Sequence, residues 1–533
     1  MEKQKTLSPG DIQSVEWEAK TSENSYDAIV VGSGIGGLAA ASVLSQIHKM
    51  RVLLLEKHYV LGGFTHTFSR KGYTWDVGLH YVGQMGPDDS IRRASDFITQ
   101  GQVEWKKMQS PFETFRYPEF RLDVSDDPKA YLEELARLFP DDAENLKKYF
   151  KDIKRIPFVV GLQFLPGWMR ILMKPFIWRR SQLAQKTVAS YLQDTIQDPK
   201  LRSLLCSQWG DYGLPPATAS MLIHSMIINH YLLGAYYPVG GGQVIADTIE
   251  KIIEKFHGVC LLRSAVNELL IEGSSIQGVR VKNQAGQVKD YFAPIVFSNI
   301  GVQGLYKMIP EKFISSKVQS ELKNISPGTS AVVLYLGLKQ NPNQLEIHGQ
   351  NFWIYDNWDH DKMWDDSDQL LNGKASHCYV SFPSLKDPKA HKPTAEVIAF
   401  VSASFCKKWE GSSWRKRPED YEVAKKAITQ ALMNLVEREI PGFKDLVDFA
   451  ELSTPLSTEH FTSHQHGQIY GLPANPKRLR MNIAGTKTPI KGLYNVGADV
   501  IGHGIAGAMM GGILSVASAL GWKTMGQVMK KKK

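Results

Sequence analysis

Residues 27–37 run an apolar strand straight into a glycine-rich turn and then a helix. Gly32, Gly34 and Gly37 have the G-x-G-x-x-G spacing, with Gly36 beside the last of them. In such a turn the first glycine permits the tight bend and the second lets backbone approach a pyrophosphate. The third lets the helix pack on the strand. The amides and dipole at the start of that helix face the same phosphate. The spacing alone is a weak signal, but the next segments of the chain fall in the right order. Residues 51–56 read as a second parallel strand ending in Glu56, about 20 residues past the glycines, where an acid meets a ribose 2′-hydroxyl. A βαβ dinucleotide-binding unit is the reading.

The chain has 533 residues, room for more than one domain, and one domain can interrupt another. Its net charge of +9 owes four units to Lys530, Lys531, Lys532 and Lys533, so the body is mildly basic and nucleic acid is not an expected partner. Cys206, Cys260, Cys378 and Cys406 are widely spaced, which argues against a zinc site or a disulfide framework and fits a reducing compartment. Residues 1–25 are polar and lack the apolar core of a signal peptide; they read as a mobile lead. Residues 500–520 are nearly free of charge and carry the Gly507 and Gly511 spacing of membrane helix dimers. Their other glycines, His503 and the preceding Asp499 argue against a membrane span.

Beyond Glu56 and Lys57 come the paired Gly62 and Gly63, the hydroxyls of Thr65 and Thr67, and then Asp76, Gly78, His80, Tyr81 and Gly83. On their own these are two turns, with glycines that let backbone pass beside a large cofactor. Taken together, residues 32–83 resemble the cofactor entrance of the phytoene desaturase and carotenoid isomerase superfamily, most of all its retinol saturase branch. Phe64 stands where many flavin amine oxidases carry arginine, which moves the chain away from those enzymes.

The resemblance implies FAD, with Gly32, Gly34, Gly36, Gly37, Gly62, Gly63 and Glu56 holding its ADP half, and Lys57 and Thr65 also at the cofactor. It implies an α/β fold: a Rossmann-like FAD-binding domain of the glutathione-reductase type, with a β-meander, interrupted by an α+β substrate domain. The FAD domain is expected in three parts, at 26–100, 236–302 and 451–524. Between them lie a helical, membrane-facing region at 101–235 and the substrate-domain sheet at 303–450, with a basic tail at 525–533. By the same resemblance Val266 contacts adenine through its backbone. Asp499 binds the ribityl or pyrophosphate region, and the amides of Ile505 and Ala506 face the flavin's pyrimidine edge. Gly502, Gly504 and Gly507 form a second formal G-x-G-x-x-G, but no strand and ribose acid come after them, so this is not a second dinucleotide site.

Residues 158–180 interleave large apolar side chains with Arg and Lys, and Pro166 and Pro175 break them. They suit a helix lying in a membrane surface, or helices packing within a substrate domain. A peripheral position on the cytoplasmic side follows from the first reading, at the endoplasmic reticulum if the source is eukaryotic. The terminal lysines read first as a solvated tail, with surface contact or a retrieval signal as alternatives. His460, His464 and His466 lack the acid partner and spacing of a metal site, so no metal is expected.

The reading of the whole is an FAD-dependent oxidoreductase acting on C=C bonds of an apolar polyene or isoprenoid lipid. Saturation passes a hydride from flavin N5 to one alkene carbon and needs a proton donor for the other. His80, Tyr81 and His503 are the candidate donors, since histidine titrates near neutrality. The electron donor is unassigned. A carotenoid isomerase, a phytoene-type desaturase, a non-enzymatic membrane flavoprotein or lipid carrier, and an NAD-binding regulator are the alternatives.

Overall fold

The computed structural model describes residues 24–162, 172–173, 178 and 180–530. Most of the expected membrane-facing block, residues 1–23 of the lead and residues 531–533 of the tail lie outside them. Five short parallel strands form the central sheet: β1 (Ala28–Val31), β2 (Val52–Leu55), β3 (Val259–Leu261), β4 (Val296–Ser298) and β5 (Leu493–Asn495), in the order β3-β2-β1-β4-β5. β1 and β2 are buried throughout, as uninterrupted apolar runs must be when both faces of a parallel sheet are covered. Helix α1 (Ile35–His48) leaves β1 and packs against α2 (Gly504–Leu520) near the end of the chain. Strands 264–272, 275–283 and 288–292 make the antiparallel meander.

The second sheet has seven strands, in the order 447–453, 329–338, 394–402, 377–381, 351–355, 113–117 and 120–124. Its long strand Thr329–Leu338 is apolar on both sides because both sides are used. Val332, Leu334 and Leu336 pack in a core with helix Glu419–Glu439, while Ala331, Val333 and Tyr335 face a cavity. A layer of helices, among them Ala143–Arg155 and Met221–Tyr231, packs in one core with Trp353, Tyr379, Ile398 and Phe400 of that sheet.

The region 101–235 is not all helical. Glu113–Tyr117 and Phe120–Val124 form a hairpin that joins the seven-stranded sheet, and Trp105–Lys107 pairs with Ala235–Pro238. The hairpin alternates buried with more exposed residues along Phe120–Val124, but its charges mask that alternation in the sequence. The sheet also runs on through Ser453, past residue 450. Residues 500–520 supply α2, whose glycines bring it onto other parts of the same domain. A side chain at Gly511 would collide with the Gly497 carbonyl, and one at Gly512 with the Gly36 carbonyl. The small-residue spacing therefore serves close packing inside this domain. No helix among the described residues is long and apolar enough to cross a membrane.

Candidate active site

One cavity of about 1050 Å³ connects the two sheets. At one end it is lined by Gly32, Gly34, Gly36, Glu56, Val266 and Asp499; at the other by Val333, Trp353, Tyr379, Ile398, Phe400 and Tyr470. The first end is built from two glycine turns. Gly32 lies at φ +91°, in the left-handed region that favours glycine, and a Cβ at Gly37 would strike the Gly32 carbonyl. The Asn299 side chain fills the gap between the turns: a Cβ at Gly36 would stand 2.7 Å from its Oδ1 and 2.6 Å from Gly497 Cα. Its backbone N–H donates to Val31 O at 2.7 Å, which fixes it beside β1.

Neither α1 nor α2 has a side-chain cap at its N-terminus, and both open on the cavity, at Gly34 to Gly36 and at Gly504 and Ile505. Two clusters of amide donors with the positive ends of helix dipoles thus face one space, a setting for a pyrophosphate and for a second electron-rich group. Glu56 Oε2 accepts from Ser33 N–H at 2.9 Å and Ser33 Oγ at 2.6 Å, and its Oε1 accepts from His58 N–H at 2.7 Å. The acid therefore ties the first turn to the end of β2 at the cavity wall. Thr65 Oγ1 donates to Gly62 O at 2.7 Å and holds the paired-glycine bend, in which Gly63 reaches Gly34. Lys57 also lines the cavity, donating to His460 O at 3.0 Å and to Ser463 Oγ.

Val266 lines the cavity at a register shift in the meander, and Ile505 lines it at the start of α2, whereas Gly37 and Ala506 stand behind the wall. Asp499 accepts from Val302 N–H at 2.8 Å and Leu472 N–H at 2.6 Å. A side chain at Gly471 would overlap its Oδ1, so this carboxylate staples three segments together at the cavity edge.

The candidate proton donors separate. His503 lies outside the cavity lining, stacked on Tyr470 with ring centroids 4.9 Å apart. Its Nε2 sits 2.6 Å from Arg478 Nη1 and 2.7 Å from Leu472 O, and its Nδ1 sits 3.2 Å from Tyr212 O. Burial and the neighbouring Arg478 hold its pKa down to about 4, which keeps it neutral. His80 does line the cavity, with Nδ1 2.8 Å from Glu396 Oε2. Burial keeps that pair uncharged, pushing Glu396 up to about 8 and His80 down to about 3. Lys386 lies beneath, donating to His80 O at 2.9 Å, Ser381 Oγ at 2.7 Å and Asn351 Oδ1; burial brings it down to about 7. Tyr81 is behind the wall and donates to Asp211 Oδ2 at 2.7 Å.

All-trans-retinol 13,14-reductase of Danio rerio is 31% identical to this chain over 515 residues, 91% of the chain and 84% of that protein. The chain belongs to the all-trans-retinol 13,14-reductase family. The chain is an oxidoreductase. Residues 30–97 match the NAD(P)-binding Rossmann-like domain family. Prolycopene isomerase 2 of an Oncidium hybrid cultivar is 24% identical, over 95% of the chain and 86% of that protein. An oxidoreductase from Methanosarcina mazei superposes with a TM-score of 0.60 at 17% identity, covering 92% of this chain and 99% of that one.

In this reductase-family chain, sequence reasoning missed Asp211, Glu396, Lys386 and Glu113. Asp211 lines the apolar end of the cavity, and Glu113 is held behind it by Trp353 Nε1 at 3.0 Å and Gln208 Nε2 at 2.7 Å. The available signal was a lone acid inside an apolar run: Asp211 within 204–214 and Glu396 within 394–401. The three histidines near 460 disperse. His464 Nδ1 meets Gln468 O at 2.9 Å, His466 Nδ1 meets Glu410 Oε1 at 3.0 Å, and His460 stacks on Trp414.

Proposed function

We propose that the chain is an FAD-dependent oxidoreductase acting on a C=C bond of an apolar polyene or isoprenoid lipid, in the manner of a retinol saturase. The continuity of the cavity carries this reading: a dinucleotide cradle and an aromatic chamber share one space of about 1050 Å³. The cradle fits FAD because Gly32, Gly34 and Gly36 line the space where the amides at the start of α1 can meet a pyrophosphate. Glu56 offers lone pairs to the ribose, Val266 borders the space for adenine, and the uncapped start of α2 offers amides to an electron-rich ring edge. When bound, FAD supplies the hydride-transfer chemistry.

The chain's own residues bind, orient and exclude water. Trp353, Tyr379, Ile398 and Phe400 bury a polyene by area and by ring contact. His80 keeps its ring toward the chamber because Glu396 holds Nδ1 and Lys386 holds its carbonyl. Phe158, Leu172, Met173 and Trp178 are exposed, with Arg180 over the Phe158 ring, which supports a peripheral lipid contact. Loss of co-sedimentation with liposomes in a Phe158→Ser, Trp178→Ser variant checks that contact.

The deciding experiment is anaerobic. The purified yellow protein is reduced with dithionite and mixed with retinol, phytoene or lycopene isomers, and the flavin spectrum and the extracted lipid mass are followed. Reoxidation with a product heavier by two hydrogens is expected. Altered geometry at unchanged mass would instead make it an isomerase like the Oncidium relative, and a protein without flavin would overturn the reading.

A further inference from the structure

Asp211 lines the cavity together with Trp353, Tyr379, Phe400 and Tyr470, and it is built in. It ends a short turn, Trp209–Asp211, whose Gly210 carbonyl accepts from Tyr470 Oη at 2.9 Å. A side chain at Gly210 would run into the Phe400 ring, so the turn is pressed onto the aromatic wall. Oδ2 accepts from Tyr81, whereas Oδ1 has no hydrogen-bond partner among the described residues. Tyr81 is itself fixed, stacked on Tyr231 with centroids 4.2 Å apart, and its hydroxyl also bears on Glu113.

We propose that Asp211 is the proton donor to the substrate alkene, with Tyr81 and Glu113 as positioning residues behind it. This rests on the reductase reading. In the step the C=C π bond breaks. One carbon would gain a hydride with its electron pair, the chemistry that a bound reduced flavin would supply. The other gains the proton of the Asp211 carboxyl, whose O–H bond breaks and leaves a carboxylate. Asp211 recovers its proton from solvent between turnovers. The faces of Trp353, Tyr379 and Phe400 stabilise positive charge as it develops on the polyene.

The chemistry requires a carboxyl that is still protonated at neutral pH, and the surroundings supply it. Desolvation raises the Asp211 pKa well above the carboxylate range, the Glu113 carboxyl raises it further, and the Tyr81 hydroxyl opposes them. Tyr212, Tyr231, Tyr355, Tyr379 and Tyr470 surround it, and no lysine or arginine forms an ion pair with it among the described residues. His80, the other cavity-lining candidate, has no acidic proton to give, since it is held neutral down to about pH 3.

The test uses the holoenzyme and the isosteric Asp211→Asn. Flavin content and polyene-induced spectral change should persist, while the rate of flavin reoxidation in single turnover falls by about 10²–10⁴-fold, the usual range for a lost general acid. Tyr81→Phe should slow the step less and move the alkaline fall of the rate to higher pH, because the hydrogen bond that lowers the Asp211 pKa is gone. Isotope-edited infrared spectra of the wild-type holoenzyme should show a protonated Asp211 carboxyl at neutral pH, whether or not the variants fold. A wild-type rate in Asp211→Asn, or an ionised Asp211 in those spectra, overturns the proposal. If wild-type protein reoxidises with no polyene at all, it is the reductase reading that fails.

Discussion

The two glycine turns, residues 32–37 and 502–507, share a spacing and one close contact, although the positive φ falls on the first glycine of one (Gly32) and the second of the other (Gly504), and they are used differently. In each, the third glycine faces the first: a Cβ at Gly37 would strike the Gly32 carbonyl, and one at Gly507 the Gly502 carbonyl. In each, the residue between the first two glycines ties the turn to its surroundings. Ser33 bonds Glu56 at the end of β2, while His503 lies among Arg478, Leu472 and Tyr212. The first turn leads on to a parallel strand and an acid; the second ends in α2, which packs back on α1. The spacing therefore specifies how a turn feeds a helix. What the turn binds is decided by the elements beside it.

The largest effects should come from the shared feature. Gly37→Ala and Gly507→Ala each force a methyl onto a carbonyl of the same domain, in backbone with nowhere to move. Each is expected to cost about 3 kcal/mol or more, as severe overpacking does, and to yield protein that melts far lower and retains no flavin. Thermal melts with and without added FAD check this. A Gly507→Ala protein that keeps wild-type stability would break the equivalence of the turns.

Glu56→Gln attacks what only the first turn has. Glu56 accepts three hydrogen bonds, from Ser33 N–H, Ser33 Oγ and His58 N–H, and an amide nitrogen would face at least one of those donors. Losing a hydrogen bond to a charged group costs about 1.5–3 kcal/mol, so FAD affinity by fluorescence titration should drop by roughly ten- to a hundredfold. Gly504→Ala probes the second turn more gently. Gly504 lies at φ +72°, yet a Cβ there would meet no protein atom within 4 Å. The backbone cost is about 1–2 kcal/mol. If that space holds the flavin edge, occupancy should fall by more than stability does, and equal losses would argue against a flavin there.

The turns were legible in the sequence because their information is local: glycines at fixed spacing, an acid about 20 residues on, and apolar strands between them. The chemistry at the apolar end was not. Asp211 acquires meaning only from Tyr81, 130 positions earlier, and Glu396 from His80, 316 positions earlier. His503 shows the converse error. A histidine beside a glycine motif reads as catalytic, but the fold satisfies its ring nitrogens with Arg478 and backbone carbonyls. Glu113 was hidden because a buried acid at the start of a strand breaks the apolar pattern that announces strands.

The smallest effect separates the turns by acid. His503 has a folded pKa of about 4, below its unfolded value near 6.5. Its contribution is therefore complete above pH 6.5 and is lost as pH falls toward 4, where only the unfolded chain binds the proton. Ser33 at the equivalent place has no such titration. Lowering the pH from 6.5 to 4 should weaken the second turn and release flavin, and His503→Gln should remove one proton's worth of that slope, about 1.4 kcal/mol per pH unit. The other buried histidines, His80, His224, His230, His360 and His377, titrate in the same direction, so only the difference between variant and wild type is informative. An unchanged slope would mean that the His503 ring is already charged in the folded protein. It would then be an additional acid near the cavity, and its neutral place among Arg478, Leu472 and Tyr212 would have to be given up.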